Sequence, residues 1–312
     1  GTREVSTWAF ARMLRFVTDR PHRPRAPVRT PLSLRSLNVQ TTFQAALFLG
    51  LCATLAEPVP IAAQPSPARP GGGVVWPAGG LESCARAERR WDPFDGACWY
   101  PVDLLATGPL ELVRWRHGQR ESRPVEVAAY PYDVQRLEIA DDSRVNLSPE
   151  NAARAARESA RVARLWSGDR EALFSLPLGP PLADLPDGGR FGSRRIINGQ
   201  PRSPHTGADY SAGEGEPVLA VAAGVVALAE EHFFAGNSVF LDHGGGLVSM
   251  YFHLSRIDVE PGESVDRGQR IGAVGATGRA TGPHLHFGLR WHGARIDPAT
   301  LLGDPAELTR LE

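Results

Sequence analysis

Hydrophobic and polar positions divide the chain into stretches of different period. Phe43 to Ala56 (FQAALFLGLCATLA) is continuously apolar but too short to cross a bilayer as a helix. Between Trp76 and about Asn146, short β-prone runs alternate with turn signals, Leu110–Trp115 and Val125–Tyr130 being the clearest. A helix then starts at Ser148, whose hydroxyl can cap it. Pro149 suits the first helical position and Glu150 the positive end of the dipole. The Ala/Arg-rich run to about Trp166 leaves only a slim apolar face, suited to packing against a neighbour. From Arg190 onward the pattern turns to short strands between glycines: Val218–Ala223, Val225–Ala229, Ser238–Asp242, Leu247–His253, Ser264–Val265, Arg270–Val274 and Leu285–Arg290. No useful helix is expected there before Pro298–Leu302. The chain therefore reads as mainly β: a small N-terminal β domain, a connecting helix, and a C-terminal antiparallel sheet of barrel- or sandwich-like form.

Proline and glycine mark the boundaries. QPSPARPGGGVV (64–75) and a Pro/Gly-rich stretch (168–189) read as linkers. The expected division is an N-terminal extension (1–40), a signal peptide (41–63), a small β domain (76–146), the helix (147–167), the C-terminal domain (190–303) and a tail (304–312). The signal reading rests on Arg35 before the apolar run and the small residues Ala62 and Ala63 after it, with cleavage near Ala63–Gln64. Cys52 lacks the small preceding residue that a lipid attachment site needs, since Leu51 stands there. Cleavage would leave Cys84 and Cys98, which an oxidising compartment would join.

Composition narrows the function. At 42% hydrophobic residues the chain can fill a core, and a net charge of -1 gives no field for nucleic acid or an anionic membrane. There is no lysine, so every basic side chain except histidine is an arginine. That looks like nucleotide bias, and it lowers the weight of arginine as a sign of binding. Histidine carries more. Seven of the 9 histidines lie beyond residue 200. In HTGADY, His205 and Asp209 are four apart, but Pro204 and Gly207 oppose a helix, so a loop turning into a strand is expected, with Gly207 permitting the bend. In GPHLHFGL, a strand would put His284, His286 and Gly288 on one face and Leu285, Phe287 and Leu289 on the other, toward a core. Imidazoles and a carboxylate are suitable zinc donors, and a catalytic zinc takes three, keeping one position for water. The two motifs offer four, so one has another task.

The last third, roughly Phe191 to Leu302, resembles the lysostaphin/LytM-type zinc metallopeptidases, marked by HxxxD followed later by HxH. FGSRR, NGQPRSPHTGADY, GNSVFLDHG, YFHLS, GESVDRGQRIG and TGRATGPHLHFG match in the family's order. The resemblance implies one zinc ion per chain held by His205, Asp209 and His286. His284 and His253 would be the catalytic pair that orients a water and handles its proton. It also implies an exported, periplasmic or secreted, endopeptidase acting on peptidoglycan peptides, with a D-alanyl cross-link as the expected target. The N-terminal domain could position the enzyme, bind an envelope partner or cover the site, and the segment around Asn198 or the helix from Ser148 to Trp166, just upstream of the ligands, could partly occlude the metal. The alternative is a non-catalytic wall-binding module or an amidase activator, against which the five intact residues speak. GESVDRGQRIGAVG also looks like a turn of lipoyl or biotinyl carrier domains, but these modify a lysine. Of the other histidines, His243 reads as structural, His292 as a surface residue, His117 as solvated in a turn, and His232 as adjoining Phe233 and Phe234 in a loop that could line a groove.

Overall fold

The computed structural model describes residues 66–168, 170–304 and 308–312; the extension (1–40), the signal segment (41–63) and Cys52 lie outside them. The first six strands are β1 (Gly73–Pro77), β2 (Leu81–Arg86), β3 (Arg89–Trp91), β4 (Ala97–Pro101), β5 (Leu110–Arg116) and β6 (Gln119–Val125). Four of them make a sheet in the order β3-β2-β5-β6, and β1 pairs with β4. Trp76, Tyr100 and Leu112 are wholly buried between them, and a Cys84–Cys98 disulfide ties β2 to β4.

β7 (Val134–Leu137) leads to helix α1 (Pro149–Ala163), followed by β8 (Arg194–Ile197) and β9 (Gln200–Arg202). β8 lies parallel to β7 and antiparallel to β9. The Ser148 hydroxyl accepts a hydrogen bond from the Asn151 amide at 3.2 Å, as its capping position requires. No α1 side chain is fully buried. Val162, with Leu165 and Trp166 just beyond the helix, packs against Leu228, Phe240, Val248 and Met250.

The largest sheet follows. Its members are β10 (Ala208–Tyr210), β12 (Gly224–His232), β13 (Gly236–Asp242), β14 (Leu247–Leu254), β16 (Ser264–Val265), β18 (Leu285–Trp291) and β19 (Ala294–Ile296). β11 (Pro217–Leu219), β15 (Arg256–Ile257) and β17 (Arg270–Ala273) form a smaller sheet beside it. The chain ends in α2 (Pro298–Leu302) and β20 (Thr309–Arg310). The large sheet runs β10-β18-β14-β13-β12-β16, with β19 also on β18, and none of the sheets closes into a barrel. Its strands alternate except where the register shifts, between Val226 and Leu228 in β12 and between Asn237 and Val239 in β13. Val239, Leu241, Tyr251, Leu285, Phe287 and Leu289, all fully buried, face the main core. Phe240, Met250, Phe252, His286 and Gly288 face the other way, and α1 covers part of that second face.

Composition misleads at the supposed linkers. Val74 and Val75 of 64–75 sit in β1, a central strand flanked by β4 and β20. Phe174, Leu178 and Leu182 of 168–189 are buried in the main core, and the 304–312 tail supplies β20 and buried Leu311. Pro and Gly interrupt hydrogen-bond ladders; they do not stop neighbouring apolar side chains from being buried. The expected strand at Val125–Tyr130 also shifts. β6 ends at Val125, opposite Leu110, where its antiparallel partner β5 begins. Its own sequence, QRESRPV, shows no alternation because it is an exposed edge strand, where charge and proline are tolerated. The main core also takes in Val75, Ala97 and Trp99. Phe94 stacks on Phe174 at 4.7 Å, and Trp99 meets Trp291 at 5.7 Å, so the described residues pack as one compact unit.

Cys84 and Cys98 close a loop 14 residues apart. Such a loop is worth about 3 kcal/mol in the chain-entropy model. Reduction is expected to lower the urea midpoint by a corresponding amount, and identical unfolding curves before and after full reduction would contradict this.

Candidate metal centre

The exposed end of the second face carries the chemistry. β10 and β18 pair antiparallel with Asp209 directly opposite His286, so both side chains emerge side by side. Asp209 Oδ1 lies 2.9 Å from His286 Nδ1 and 3.0 Å from His205 Nε2, and the two histidine nitrogens are 2.9 Å apart. His205 comes from the loop before β10 and is completely buried. That loop passes so close over β18 that a Cβ on Gly207 would lie 2.4 Å from the Phe287 carbonyl oxygen and 2.6 Å from His286 Nε2. The glycine is thus required for close approach.

His205 Nδ1 donates to the Arg190 carbonyl at 2.9 Å, because a carbonyl can only accept. This leaves Nε2 as a lone pair. Burial, acting first, pushes the His205 pKa down to about 4, so the ring is neutral near pH 7. Burial works against the Asp209 charge, but contacts from His205 and His286 outweigh it and hold the carboxyl well below the usual range. Arg195 lies 3.4 Å from Asp209 Oδ2, leaving Oδ1 for the histidines. A bare lone pair beside an ionised carboxylate is repulsive unless a proton on His286 Nδ1 or a metal cation sits among them. Bonds of about 2.0–2.1 Å to one tetrahedral ion separate donors by about 3.3 Å. The three observed edges come within a few tenths of that. His205, Asp209 and His286 are the residues among those described that converge in this way, and two imidazoles with one carboxylate fit zinc.

His253 and His284 join this cluster by different routes. His284 stands one residue before β18 and bridges to Gly275 rather than continuing the strand, yet its Nε2 is 3.8 Å from Asp209 Oδ1. His253 would point into the core if β14 alternated without interruption, since Phe252 is the residue opposite His286. Instead the β13–β14 register slips between Asn237 and Val239, placing Phe252 and His253 against the single residue Ser238. His253 takes φ = 64°, which turns its ring to the site face. A left-handed non-glycine residue costs of order 1–3 kcal/mol. Here the His253 amide bonds to Ala235 O and Nδ1 to Thr277 O, both at 2.8 Å. Nδ1 of His284 likewise donates to Gly282 O at 2.8 Å, so both rings keep Nε2 as an acceptor. Their centroids are 4.8 Å apart. Burial first, then His286 and His284, push the His253 pKa down to about 3. Phe252 stacks flat on His286 at 5.1 Å.

All five expected site residues are thus brought together. Asn198 is not among them: its amide bridges both backbone groups of Ile139. His243 is buried and structural, bonded to Ala223 O and Ser249. His117 is an exposed turn residue. His292 is not a plain surface residue; it stacks on Trp91 at 4.4 Å. His232 ends β12 as a buried residue beneath Phe240, so its loop reading fails. Sequence reasoning missed Arg195. It stands in FGSRR, among the matching blocks, but arginine abundance hid it.

A family model described as Peptidase family M23 matches residues 203–298. A solved structure described as a putative peptidase M23 from Pseudomonas aeruginosa is 32% identical over 75% of this chain and 94% of that one, with a TM-score of 0.59. The chain belongs to peptidase family M23. Among curated proteins it is 45% identical over 95 residues to the peptidoglycan DD-endopeptidase ShyA of Vibrio cholerae, covering 30% of this chain and 22% of that protein. It is 41% identical over 108 residues to the DD-carboxypeptidase/endopeptidase Mpg of Neisseria meningitidis, covering 35% and 25%. The chain spans about a quarter of the length of these relatives. Among the described residues no helix is long and apolar enough to cross a membrane.

Buried His205, His232, His243 and His253, with half-buried His292, set a pH dependence. Burial is the first cause in lowering His205 and His243 to about 4, and His253 and His292 to about 3. In the unfolded chain they protonate near about pH 6.5. Between these values the unfolded state binds more protons, so the histidines' contribution to stability is complete above about pH 6.5 and is lost as pH falls through about 4 and then about 3. Chelator-treated protein is expected to show a lower urea midpoint at pH 5 than at pH 7; an equal or higher midpoint at pH 5 would overturn this reading.

Proposed function

We propose that this chain is an exported zinc-dependent endopeptidase that hydrolyses peptide bonds in the stems or cross-links of peptidoglycan. The observation that carries the reading is the convergence of His205 Nε2, Asp209 Oδ1 and His286 Nδ1 within 3.0 Å of one another, with His253 and His284 beside them. Those three atoms would hold the ion. Zinc, when bound, lowers the pKa of a coordinated water to about 7 and polarises a carbonyl. The remaining work belongs to the chain. Carbonyl oxygens of Thr277 and Gly282 fix the two catalytic rings with Nε2 available, so either can accept the proton of an attacking water. Once protonated, that Nε2–H can donate to the developing oxyanion or to the leaving amine. Arg195 keeps Asp209 oriented and Phe252 keeps His286 from rotating. The disulfide supports a compartment outside the cytoplasm, the periplasm or the exterior.

Purified protein should carry about one zinc per chain and release cleaved cross-link peptides from sacculi, and a chelator should stop it. His205→Ala is expected to lose both metal and activity. His284→Ala should keep the metal and lose activity by about 10²–10⁴-fold. Loss of metal from His284→Ala would refute the division of roles. A zinc-loaded protein that cleaves nothing yet stimulates an amidase would favour the activator reading instead.

A further inference from the structure

Beside the histidines lies a second feature that the hydrolytic chemistry does not use. A groove of about 440 Å³ is lined by Val145, Leu147, Gln200, Arg202, Phe234 and Arg279, among others. It adjoins the site by covalent and hydrogen-bonded links. Arg202 precedes His205 by three residues. Phe234 and Arg279 belong to the two loops that hold His253, whose amide bonds to Ala235 O and whose Nδ1 bonds to Thr277 O. Arg279 lies over the Phe234 ring at 4.3 Å, and its amide bonds to Phe234 O at 2.8 Å.

The groove is electrostatically lopsided. Arg202 donates to Val145 O at 2.7 Å and to Gln200 Oε1 at 2.6 Å; Arg279 donates to Arg144 O at a long 3.4 Å. These acceptors are neutral. Among the described residues no carboxylate forms an ion pair with Arg202 or Arg279, while Arg195 is engaged with Asp209 and Arg144 with exposed Asp141. Burial, followed by repulsion from Arg195, Arg202 and Arg144, pushes the Arg279 pKa down to about 10. It stays protonated at neutral pH, so its half-buried charge remains. Each guanidinium has five donors in a planar fork, and among the described residues most of them have no acceptor.

We infer, on the peptidase reading above, that the Arg202–Arg279 groove is a substrate subsite that binds a free carboxylate of the peptide close to the scissile bond. The enzyme then selects stems carrying an unamidated acid beside the cleaved linkage. Phe234 gives the apolar floor along which the adjoining part of the peptide lies. A purely structural role, in which both arginines only clamp the Arg144–Leu147 segment, leaves their charge without a purpose: neutral donors would serve those carbonyls equally well.

The test separates this subsite from catalysis. Binding of a cross-linked stem peptide with a free carboxylate, and of the same peptide as its carboxamide, is measured by calorimetry on chelator-treated full-length protein, where no turnover is needed. The acid is expected to bind about tenfold more tightly or better, as charge-assisted bonds predict. Arg279→Gln and Arg202→Gln should each shrink that preference to about threefold or less, and Arg279→Lys should restore part of it. Equal binding of acid and amide by the unmodified protein, or no detectable binding of either at millimolar concentration, overturns the proposal without any variant having to fold. Failure of zinc-loaded protein to cleave sacculi would count against the peptidase reading, whereas a retained acid preference would still support the subsite.

Discussion

Asp209 meets His286 because β10 and β18 are paired in one register, and every other feature of the centre is arranged around that pair. The register is held from the opposite side of the strand. Leu285, Phe287 and Leu289 are completely buried, and each contributes about 1.5–3 kcal/mol that a one-residue slip would forfeit. The same slip would carry His286 into the core and leucines into the site. Apolar burial therefore determines where the polar donors stand, although it touches none of them.

Three departures from regular β structure complete the cluster. Gly207 lets the His205 loop pass against β18 at a distance no side chain would allow. The slip opposite Ser238 turns His253 out of the core. His284 leaves the strand before it starts, bridging Gly275 instead. Each irregularity is secured by backbone hydrogen bonds, and the carbonyls that secure the rings also choose their tautomers. Position and proton inventory are thereby set by the same contacts.

The N-terminal region is part of the same body. Val75, Ala97 and Trp99 enter the main core, β20 returns to pair with β1, and Phe94, Phe174, Trp99 and Trp291 pack ring against ring. On the second face, Val162, Leu165 and Trp166 cover the end of the sheet away from the histidines. Glu158 accepts from the Phe233 amide, and Arg144 donates to the Phe233 carbonyl. The segment from Arg144 to Leu147 and helix α1 thus form one wall beside the open end of the sheet. That wall supplies none of the five clustered residues.

Local spacing alone was enough to determine several elements and to narrow the chemistry. The alternation in GPHLHFGL places two histidines opposite a leucine-rich face, the Ser148-Pro149-Glu150 start specifies a helix, and HTGADY with HLH offers donors of the right kind. These are short-range facts, encoded in neighbouring residues. Tertiary structure alone decided the rest. Which nitrogen of each ring is free depends on carbonyls remote in sequence, such as Thr277 O for His253 and Arg190 O for His205. The outward turn of His253 depends on a mismatch between two strands. Buried linkers and the polar edge strand β6 were misread because their composition reports hydrogen-bonding capacity, while burial depends on what folds over them. Arg195, Arg202 and Arg279 looked like background in an arginine-rich chain. Only their convergence, with too few carboxylates to answer them, shows that charge has been concentrated beside the histidines, since Coulomb interactions depend on distance in space and sequence order records none of it.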